Sequence, residues 1–462
     1  MSKKKARTSS AGITKAIVVW GAVFALTLFR ISVATGGSLG ESEALVSVCA
    51  AHPDGGYVEG PPGTPLLLSL FHLLGLGSLV PIRFISPIAV LILSWAVWWM
   101  GRRLAPHRPA VALWSVLAVN LLPPVTIASL VMNGAMVSAT LILLSVVSGW
   151  SAARSHDGIT FRSWALFGLA LAVTTFFFQP VGFLLPVAIA FRFVSQGVKQ
   201  FPWRGVMVAF CLLILGWIIP LSWNARHDWI QWSSVAHGFD IIEFGNVSVS
   251  LGLAVALCGL LTPPLVLLAF ARPLWRIPMI FLLILLAMGS GIFLLVPGAI
   301  PEGLPSPSGV SGIAEMASDI TTLRDNRVDA KGAKPILIAS TPGLAALLET
   351  RINLSYPERP GSPSVFALES PSCNSSFSLW PGYADAVGEG IQDSLYTEEK
   401  WTSPFLGRNA LYITTESREE LPQTLTGAFD SVGLLREFTI QRNGRPVTAR
   451  VYQCENYRTL SL

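Results

Sequence analysis

The sequence predicts a mostly α-helical integral membrane protein, in which about nine transmembrane helices precede a small C-terminal α/β domain. Of the 462 residues, 52% are hydrophobic and 13% are charged, whereas soluble globular proteins carry about 25% charged residues. Apolar runs close to the roughly 20 residues that a membrane helix needs recur along residues 1–300. The basic residues between these runs are concentrated in alternate loops.

The first apolar run follows five basic residues and extends to about Ala34. A secretory signal peptide begins in a similar way. We favour a first membrane helix with a cytoplasmic N-terminus, because the run is long, Arg30 interrupts its end and many more runs follow. The short apolar stretch 65–80 contains His72, and we interpret it as an interfacial helix. The further predicted spans lie at 82–100, 109–126, 132–152, 163–179, 180–196, 205–222, 248–270 and 277–299.

The distribution of Lys and Arg orients the predicted bundle. With the N-terminus inside, the external loops hold only Arg83 and Arg226, whereas four cytoplasmic loops are basic. This is the positive-inside pattern, and an odd number of spans then places the C-terminal domain outside the cytoplasm. The four basic loops are 101–108, 153–162, 197–204 and 271–276.

Acidic residues are concentrated on the predicted outer side. Residues 1–300 contain eight, of which seven fall in the external loops 37–64 and 223–247. External loops that lack positive charge tolerate acids, and this is one interpretation. The other is a polar site that both loops build together. The net charge of +5 follows membrane topology, so we expect no nucleic-acid partner.

The chain changes character after the last predicted span. Residues 301–334 are rich first in Pro, Gly and Ser and then in Asp and Arg, which indicates a linker between a membrane domain at 1–300 and a soluble domain at 335–462. Alternating strand and helix patterns predict a small α/β fold for the latter. Its only cysteines are Cys373 and Cys454, and a disulfide between them is left open. The predicted strands are 335–340, 364–368, 410–415 and 449–454, and the predicted helices are 341–350 and 417–430.

The first external loop carries the candidate chemistry. Glu41 and Glu43 directly follow the first helix, and Asp54, Tyr57 and Glu59 come further along. A carboxylate that removes a proton from a hydroxyl or amine assists transfer to that group. These residue types therefore indicate acid–base work or the positioning of an acceptor.

Three arginines lie near the predicted outer membrane edge, namely Arg30, Arg83 and Arg226. Arginine binds phosphate bidentately and stabilises a phosphate leaving group. Snorkelling or a local ion pair is the equally weighted structural interpretation.

The second external loop contains His227, Asp228 and several tryptophans, including Trp229. Tryptophan at a membrane edge usually forms an aromatic belt, and stacking on a sugar or base ring is the alternative. The sequence shows no P-loop, dinucleotide, nucleophile-elbow or zinc-protease motif. No acidic residue falls within a predicted span, which argues against a proton-coupled transporter.

These loops resemble those of the glycosyltransferase-C superfamily, the polytopic enzymes that use lipid-linked sugars. The similarity is greatest to the bacterial branch related to protein O-mannosyltransferases and to the aminoarabinose transferase of lipid A. It covers most of the chain, and the second-loop motif is its most specific part. The matching residues are Glu43-Ala44, His52, Asp54, Gly56, Tyr57, Pro61-Pro62 and Trp223-Asn224-Ala225-Arg226-His227-Asp228-Trp229.

The resemblance implies an integral protein of the bacterial inner membrane. It would transfer a sugar, with inversion, from a polyprenyl-phosphate carrier to a glycan, lipid or protein acceptor outside the cytoplasm. Glu43, or else Glu41, would be the base. A divalent cation is the one cofactor left open. The implied substrate-binding residues, some of which would alternatively position that cation, are Asp54, Tyr57, Glu59, Arg83, Arg226, His227 and Trp229.

This sequence departs from the family pattern at positions that carry chemistry. The leading Asp of the first loop is Ser42, and an Asp-His pair is Glu59-Gly60. A Ser-Lys-Tyr motif, whose lysine would bind phosphate, is Phe178-Gln179-Pro180. The alternative function is therefore a catalytically inactive relative that acts as a membrane scaffold or binds a glycan or a partner.

Overall fold

The computed structural model divides into two compact units. The membrane unit contains residues 1–37, 53–56 and 60–307. The C-terminal unit contains residues 38–52, 57–59 and 308–462. The structure describes residues 2–458 except 75–78, 133, 156–159, 197–200, 232–242, 272–274, 297–308, 329–331, 353–360, 370–372, 374, 386, 392–397 and 417–419.

Every apolar run predicted to span the membrane coincides with a helix or with a pair of consecutive helical segments. In the short stretch 65–80 that is predicted as an interfacial helix, residues 65–73 are also helical. The helices are α1 Ser2–Thr35, α2 Glu41–Ala51, α3 Gly63–Leu73, α4 Leu79–Leu104, α5 Pro109–Asn120, α6 Pro123–Leu130, α7 Ala135–Ala153, α8 Thr160–Thr175, α9 Leu184–Gln196, α10 Trp203–Arg226, α11 Glu243–Ala271 and α12 Arg276–Leu295.

The chain is an integral membrane protein. Within the described residues, six helices are long and apolar enough to cross a membrane, and the bent pair α5–α6 makes a seventh. Helices α8 and α9 have only 16 and 13 residues, fewer than the roughly 20 that a straight span needs. The structure therefore supports six or seven spans, and the count of nine stays a prediction.

The break between α5 and α6 has its backbone groups satisfied by side chains of other helices. The two helices meet at an angle of 59° before Pro123, where a proline removes a backbone donor. Arg30 of α1 donates from Nη1 to the Asn120 side-chain oxygen at 2.9 Å and from Nη2 to its carbonyl at 2.8 Å. Ser290 of α12 donates to the Leu121 carbonyl at 2.6 Å. The apolar interior therefore tolerates the bend.

The C-terminal unit is built on a mixed six-stranded sheet of order β1-β7-β8-β6-β2-β3. Strand β2 is parallel to both neighbours, whereas β6, β8, β7 and β1 pair antiparallel. Its core includes the buried rings of Tyr383, Tyr412 and Tyr457. The strands are β1 Val310–Ser311, β2 Ile336–Ala339, β3 Phe366–Ala367, β4 Val387–Ile391, β5 Glu398–Thr402, β6 Ala410–Thr414, β7 Phe429–Arg442 and β8 Arg445–Tyr457, with β4 and β5 forming a separate two-stranded antiparallel sheet.

Three helices accompany this sheet, α13 Ile313–Asp325, α14 Pro342–Glu349 and the short α15 Gln423–Thr426. The four predicted strands and the predicted helix 341–350 are confirmed. The predicted helix 417–430 is wrong over most of its described length, because only α15 is helical and β7 begins at Phe429. Helix α13 lies within the stretch 301–334 that the sequence suggested as a linker.

The disulfide left open by the sequence is not present, since Cys373 and Cys454 are free thiols. Cys454 lies on β8 and is fully buried in the sheet core. Its burial raises the pKa of the Cys454 thiol to about 12. The Cys373 thiol instead donates to the Ser375 carbonyl at 3.7 Å.

Helix α2 follows the first predicted span in the sequence but packs within the C-terminal unit. Its buried face includes Glu43, Ala44, Val48 and Cys49. It lies against α14, where a Cβ atom on Gly343 would come within 2.9 Å of the Cβ atom of Glu41. The N-terminal part of the predicted loop 37–64 is therefore a component of the C-terminal fold.

Candidate functional site

The best candidate site in the membrane unit is a set of five short chain segments linked by contacts, here called the loop cluster. Two of its segments carry the motifs on which the family resemblance rests. The cluster consists of residues 53–56 with 63–64, residue 134, residues 176–179 and residues 223–231.

The closest contact in the loop cluster joins the first-loop motif to the second. A Cβ atom on Gly56 would lie 2.6 Å from Cδ2 and Cε3 of Trp223, and one on Gly55 would lie 3.0 Å from Cγ2 of Ile219. Trp223 is 1% exposed. Only glycine allows the backbone beside Asp54 to approach this indole so closely, since any side chain would overlap it.

The second motif ends α10 in a tight, strained turn. Asp228 and Trp229 have φ angles of 51° and 56°, a left-handed conformation that is unfavourable for a tryptophan. The Trp229 amide donates to the Asn224 carbonyl at 2.8 Å. The imidazole of His227 stacks on Trp223 with 4.2 Å between ring centroids, and its Nδ1 lies 2.8 Å from the Trp223 carbonyl. The turn therefore holds His227 against the same indole that Gly56 contacts.

A network of three buried side-chain amides, those of Asn224, Gln231 and Gln179, supports this turn. The Asn224 side chain is fully buried and donates to Gln231 Oε1 at 2.9 Å. Gln179 donates to the same Gln231 oxygen at 3.0 Å. Gln179 stands where the family motif has its lysine, so in this chain the position contributes an uncharged amide to the structure around the second motif. Sequence reasoning missed this network, although three polar amides at the ends of apolar runs are a signal for it.

The two remaining contacts of the loop cluster also depend on glycine. The Gly63 amide donates to the Phe176 carbonyl at 2.6 Å, and a Cβ atom there would lie 2.5 Å from that oxygen. Gly134 has a φ angle of 84°, and its Cβ atom would lie 2.5 Å from the Thr64 hydroxyl oxygen. These glycines bring Gly134 and the segment 176–179, which contains two residues of the altered Phe178-Gln179-Pro180 motif, against Gly63 and Thr64.

The two candidate bases lie in the C-terminal unit and have structural partners there. Glu41 forms an ion pair with Arg442 of β7. Glu43 is fully buried, and its Oε2 accepts a hydrogen bond from the Gly40 amide at 3.1 Å. A carboxylate in the first turn also stabilises a helix N-terminus electrostatically. Both acids therefore lie in the first turn of α2, and Glu41 attaches this helix to the sheet.

Tyr57 and Glu59 also belong to the C-terminal unit. The Tyr57 hydroxyl lies 3.0 Å from the carbonyl oxygens of both Cys49 and His52, at the end of α2. The Glu59 carboxylate accepts hydrogen bonds from the Ser376 amide, at 2.8 Å, and from the Ser376 hydroxyl. Burial raises the pKa of the Glu59 carboxyl, and the two Ser376 hydrogen bonds oppose that rise.

The other candidate residues belong to the membrane unit. Asp54 is exposed and accepts a hydrogen bond from the Gly55 amide at 2.6 Å. Arg226 is exposed, and its Nε donates to the Ser222 carbonyl at 3.1 Å. Arg83 is 7% exposed on α4, and Trp229 is 43% exposed. Asp54, Arg226, His227 and Trp229 therefore all lie on or beside the loop cluster.

Among the described residues, no group of three or more His, Cys, Asp and Glu side chains is arranged to hold a metal ion. Three side chains of the loop cluster are of types that bind metal ions, namely Asp54, Asp228 and His227. The structure does not bring these three together as one metal site. Asp240, which the sequence placed in the second loop, lies outside the described residues.

A comparison with protein families identifies one match. Residues 59–223 match the family model of dolichyl-phosphate-mannose-protein mannosyltransferases. The chain is similar to that family over about a third of its length, and this confirms the resemblance over that stretch. The match runs from Glu59 to Trp223, so it includes Arg83 and Gln179 and ends on the indole that receives Gly56.

Two solved structures are also similar to the chain. One is the crystal structure of ArnT from Cupriavidus metallidurans in the apo state, with 12% identity and a TM-score of 0.44. The other is ArnT from the same organism bound to undecaprenyl phosphate, with 14% identity and a TM-score of 0.43. Each alignment covers 94% of this chain and 98% of the other. Both TM-scores are too low to assign a residue or a ligand to this chain. A search of curated proteins found no match.

Proposed function

We propose that this protein is a membrane glycosyltransferase that moves a sugar from a polyprenyl phosphate to an acceptor outside the cytoplasm. The family match over residues 59–223 supports the donor class, because that family is named for dolichyl-phosphate-mannose. The proposal includes the finer topology from the sequence: nine spans, a cytoplasmic N-terminus and a bacterial inner-membrane location. The acceptor is a glycan, lipid or protein hydroxyl or amine.

One observation carries the proposal, namely the contact of Gly56 with Trp223. The two motifs of the resemblance are 167 residues apart in sequence, and the contact brings them together in the membrane unit. The same two segments carry an exposed carboxylate, Asp54, an imidazole, His227, a guanidinium, Arg226, and a half-exposed indole, Trp229. Such groups suit a sugar phosphate, because guanidinium binds phosphate and an indole face stacks on apolar sugar faces.

The structure favours Asp54 over Glu43 and Glu41 as the base. Glu43 is fully buried at a helix N-terminus, and Glu41 is paired with Arg442. A base must reach the acceptor proton within hydrogen-bond distance, which an exposed side chain does most directly. Arg226, with Arg83, would bind the donor phosphate, and Trp229 would contact the sugar.

The experiment is sugar transfer by purified full-length protein in liposomes, using a panel of labelled polyprenyl-phosphate sugars and extracted envelope acceptors. We expect Asp54→Asn to lower the rate by about 10²–10⁴-fold without changing thermal stability. Asp325→Asn is the matched control, because Asp325 is a half-exposed carboxylate on α13. A wild-type rate for Asp54→Asn together with inactive Glu43→Gln would return the base to Glu43.

The contacts of the first-loop acids favour one second candidate, a non-catalytic scaffold. Glu41, Glu43 and Glu59 all have structural partners within the C-terminal unit. In that case the folded wild type would transfer no sugar from any donor of the panel. Substitutions of these acids would then change only stability.

A further inference from the structure

A lateral groove lies between α7, α8 and α9 of the membrane unit, outside the loop cluster. Its volume is about 190 Å³ and its lining is almost entirely apolar. The residues that α7 contributes at four-residue spacing, Ser145, Gly149 and Ala153, are small, so they leave room between the helices. A Cβ atom on Gly149 would lie 2.8 Å from the Phe167 ring, so the groove is narrow.

The groove offers a polar occupant almost no polar surface. The hydroxyl of Ser145 in its lining is already hydrogen-bonded to the Thr174 hydroxyl at 2.9 Å, and Trp150 contributes its ring. An apolar cavity of this kind binds hydrocarbon rather than water. An unbranched hydrocarbon chain suits its width better than a methyl-branched one, because Phe167 and Gly149 already meet closely across it.

Positive charge lies at one end of the groove. The Arg154 guanidinium carbon lies 5.1 Å from the ring centroid of Trp150 and 5.8 Å from that of Phe191, and both rings line the groove. Arg192, which is 3% exposed, donates to the carbonyls of Ala153 and Ser155 at 3.1 and 2.6 Å. The stacked guanidinium keeps the N–H groups at its edge available, and within the described residues no side chain forms an ion pair with Arg154.

We propose that this groove binds one anionic phospholipid, with an acyl chain between the three helices and the phosphate on Arg154. Charge complementarity selects an anionic headgroup, since Arg154 and Arg192 both lie at this end. Arg154 falls in a loop that the charge pattern predicts to be cytoplasmic, and anionic lipids are attracted to such basic segments. The proposed sugar transfer is on the opposite side, so this site is independent of it.

Native mass spectrometry of the purified full-length protein tests the wild type directly. The delipidated protein is mixed with equal amounts of phosphatidylglycerol and phosphatidylethanolamine that share the same acyl chains. We expect one phosphatidylglycerol molecule to be retained in preference. Equal retention of the two lipids would overturn the proposal, and preferential retention of a polyprenyl phosphate added as a third competitor would reassign the groove.

Variants test the two halves of the site separately. Arg154→Gln should lower the preference for phosphatidylglycerol about tenfold, the loss expected for one charge-assisted hydrogen bond. Arg102→Gln is the matched control. Arg102 lies in another loop that is predicted to be cytoplasmic, and its guanidinium also stacks on a tryptophan ring, that of Trp98. Loss of the preference in both variants would mean a general surface-charge effect and would contradict the site.

The groove half is tested by filling it. Val187→Trp should abolish retention of both phospholipids, because Val187 is 62% exposed and lines the groove. Val173→Trp on α8 is the control, since Val173 is exposed but lies outside the groove.

A further variant, Asp157→Asn, removes the charge of a carboxylate that lies outside the described residues. A gain in preference there supports the site, because the variant removes a negative charge three residues from Arg154, whereas a loss equal to that of Arg154→Gln would contradict it.

Discussion

At the scale of single residues, glycine rather than charge determines where the two resemblance motifs meet. Gly55, Gly56, Gly63 and Gly134 each stand where a Cβ atom would come within 3.0 Å of another segment. Gly56 belongs to the first-loop motif, but a sequence motif does not predict which side chain packs against a glycine. The role of Trp223 as that partner therefore emerges only from the structure.

Gly56→Ala should misplace the first-loop motif. Its Cβ atom would overlap the Trp223 ring, and overpacking of this kind costs about 1–3 kcal/mol. We expect a lower melting temperature in detergent and a loss of transfer activity. Gly291→Ala is the control, because a Cβ atom there meets nothing within 4 Å. Equal stability of both variants would show that the loop contact is not formed.

Glu369 should make the protein less stable as the pH rises. Burial, with a smaller effect of Asp385, raises the pKa of Glu369 from 4.5 to about 7. The unfolded chain then loses this proton at lower pH than the folded chain does. The free energy of unfolding therefore falls between pH values near these two pKa values and levels off above the higher one.

The measurement is thermal unfolding of the full chain across this pH range. Glu369→Gln should remove the part of the pH dependence that Glu369 contributes. Glu437→Gln, which alters a carboxylate that is 51% exposed, should leave that dependence unchanged. An identical slope in wild type and Glu369→Gln would contradict the assignment.

At the scale of secondary-structure elements, hydropathy predicted where the membrane helices lie, but it did not predict which elements pack against one another. Nine apolar runs all became helical, because an apolar stretch in a membrane must satisfy its own backbone. Helix α13 was missed although Ile313, Met316 and Ile320 recur at helical spacing, because the composition of residues 301–334 indicated a linker. The predicted helix 417–430 included the first two residues of β7, and the rest of β7 was not predicted, because its largely exposed residues give Phe429–Arg442 no clear alternation. The attachment of α2 to a sheet over 250 residues away has no local signal.

The Glu41–Arg442 ion pair should couple α2 to β7. Glu41→Gln and Arg442→Gln should each lower the thermal stability of the full chain. The double variant should be less destabilised than the sum of the two, by about 0.5–1 kcal/mol. A Glu437→Gln and Arg442→Gln cycle serves as the control, since Glu437 pairs with Arg450 instead. Strict additivity for Glu41 and Arg442 would show that the pair does not attach the helix.

At the scale of the whole molecule, the charge pattern predicts how the helix bundle is oriented in the membrane, which the fold alone does not. The loops predicted to be cytoplasmic are rich in arginine, and the odd number of predicted spans places both candidate-site motifs and the C-terminal unit outside. Six or seven of these spans are supported by helix length and composition. Orientation rests on the sequence.

Reporter fusions to the full chain measure this orientation. Alkaline phosphatase fused after Leu462 should be active, and green fluorescent protein at the same position should be dark. Green fluorescent protein fused before Met1 should be fluorescent. A dark N-terminal fusion with a fluorescent C-terminal one would invert the bundle and remove the proposed external site.

The chain passes from the membrane unit to the C-terminal unit after Gly37 and returns at Pro53. It enters the C-terminal unit again for Tyr57–Glu59 and leaves the membrane unit for good only after Pro307. Ribosomes add about 5–20 residues per second, so α2 is made some tens of seconds before α14, against which it packs. During that interval the apolar face of α2 has no native partner, and a chaperone or the membrane surface must shield it. Truncation after the last membrane helix would make this temporary state permanent, so quality-control proteases should recognise such a product by its first loop.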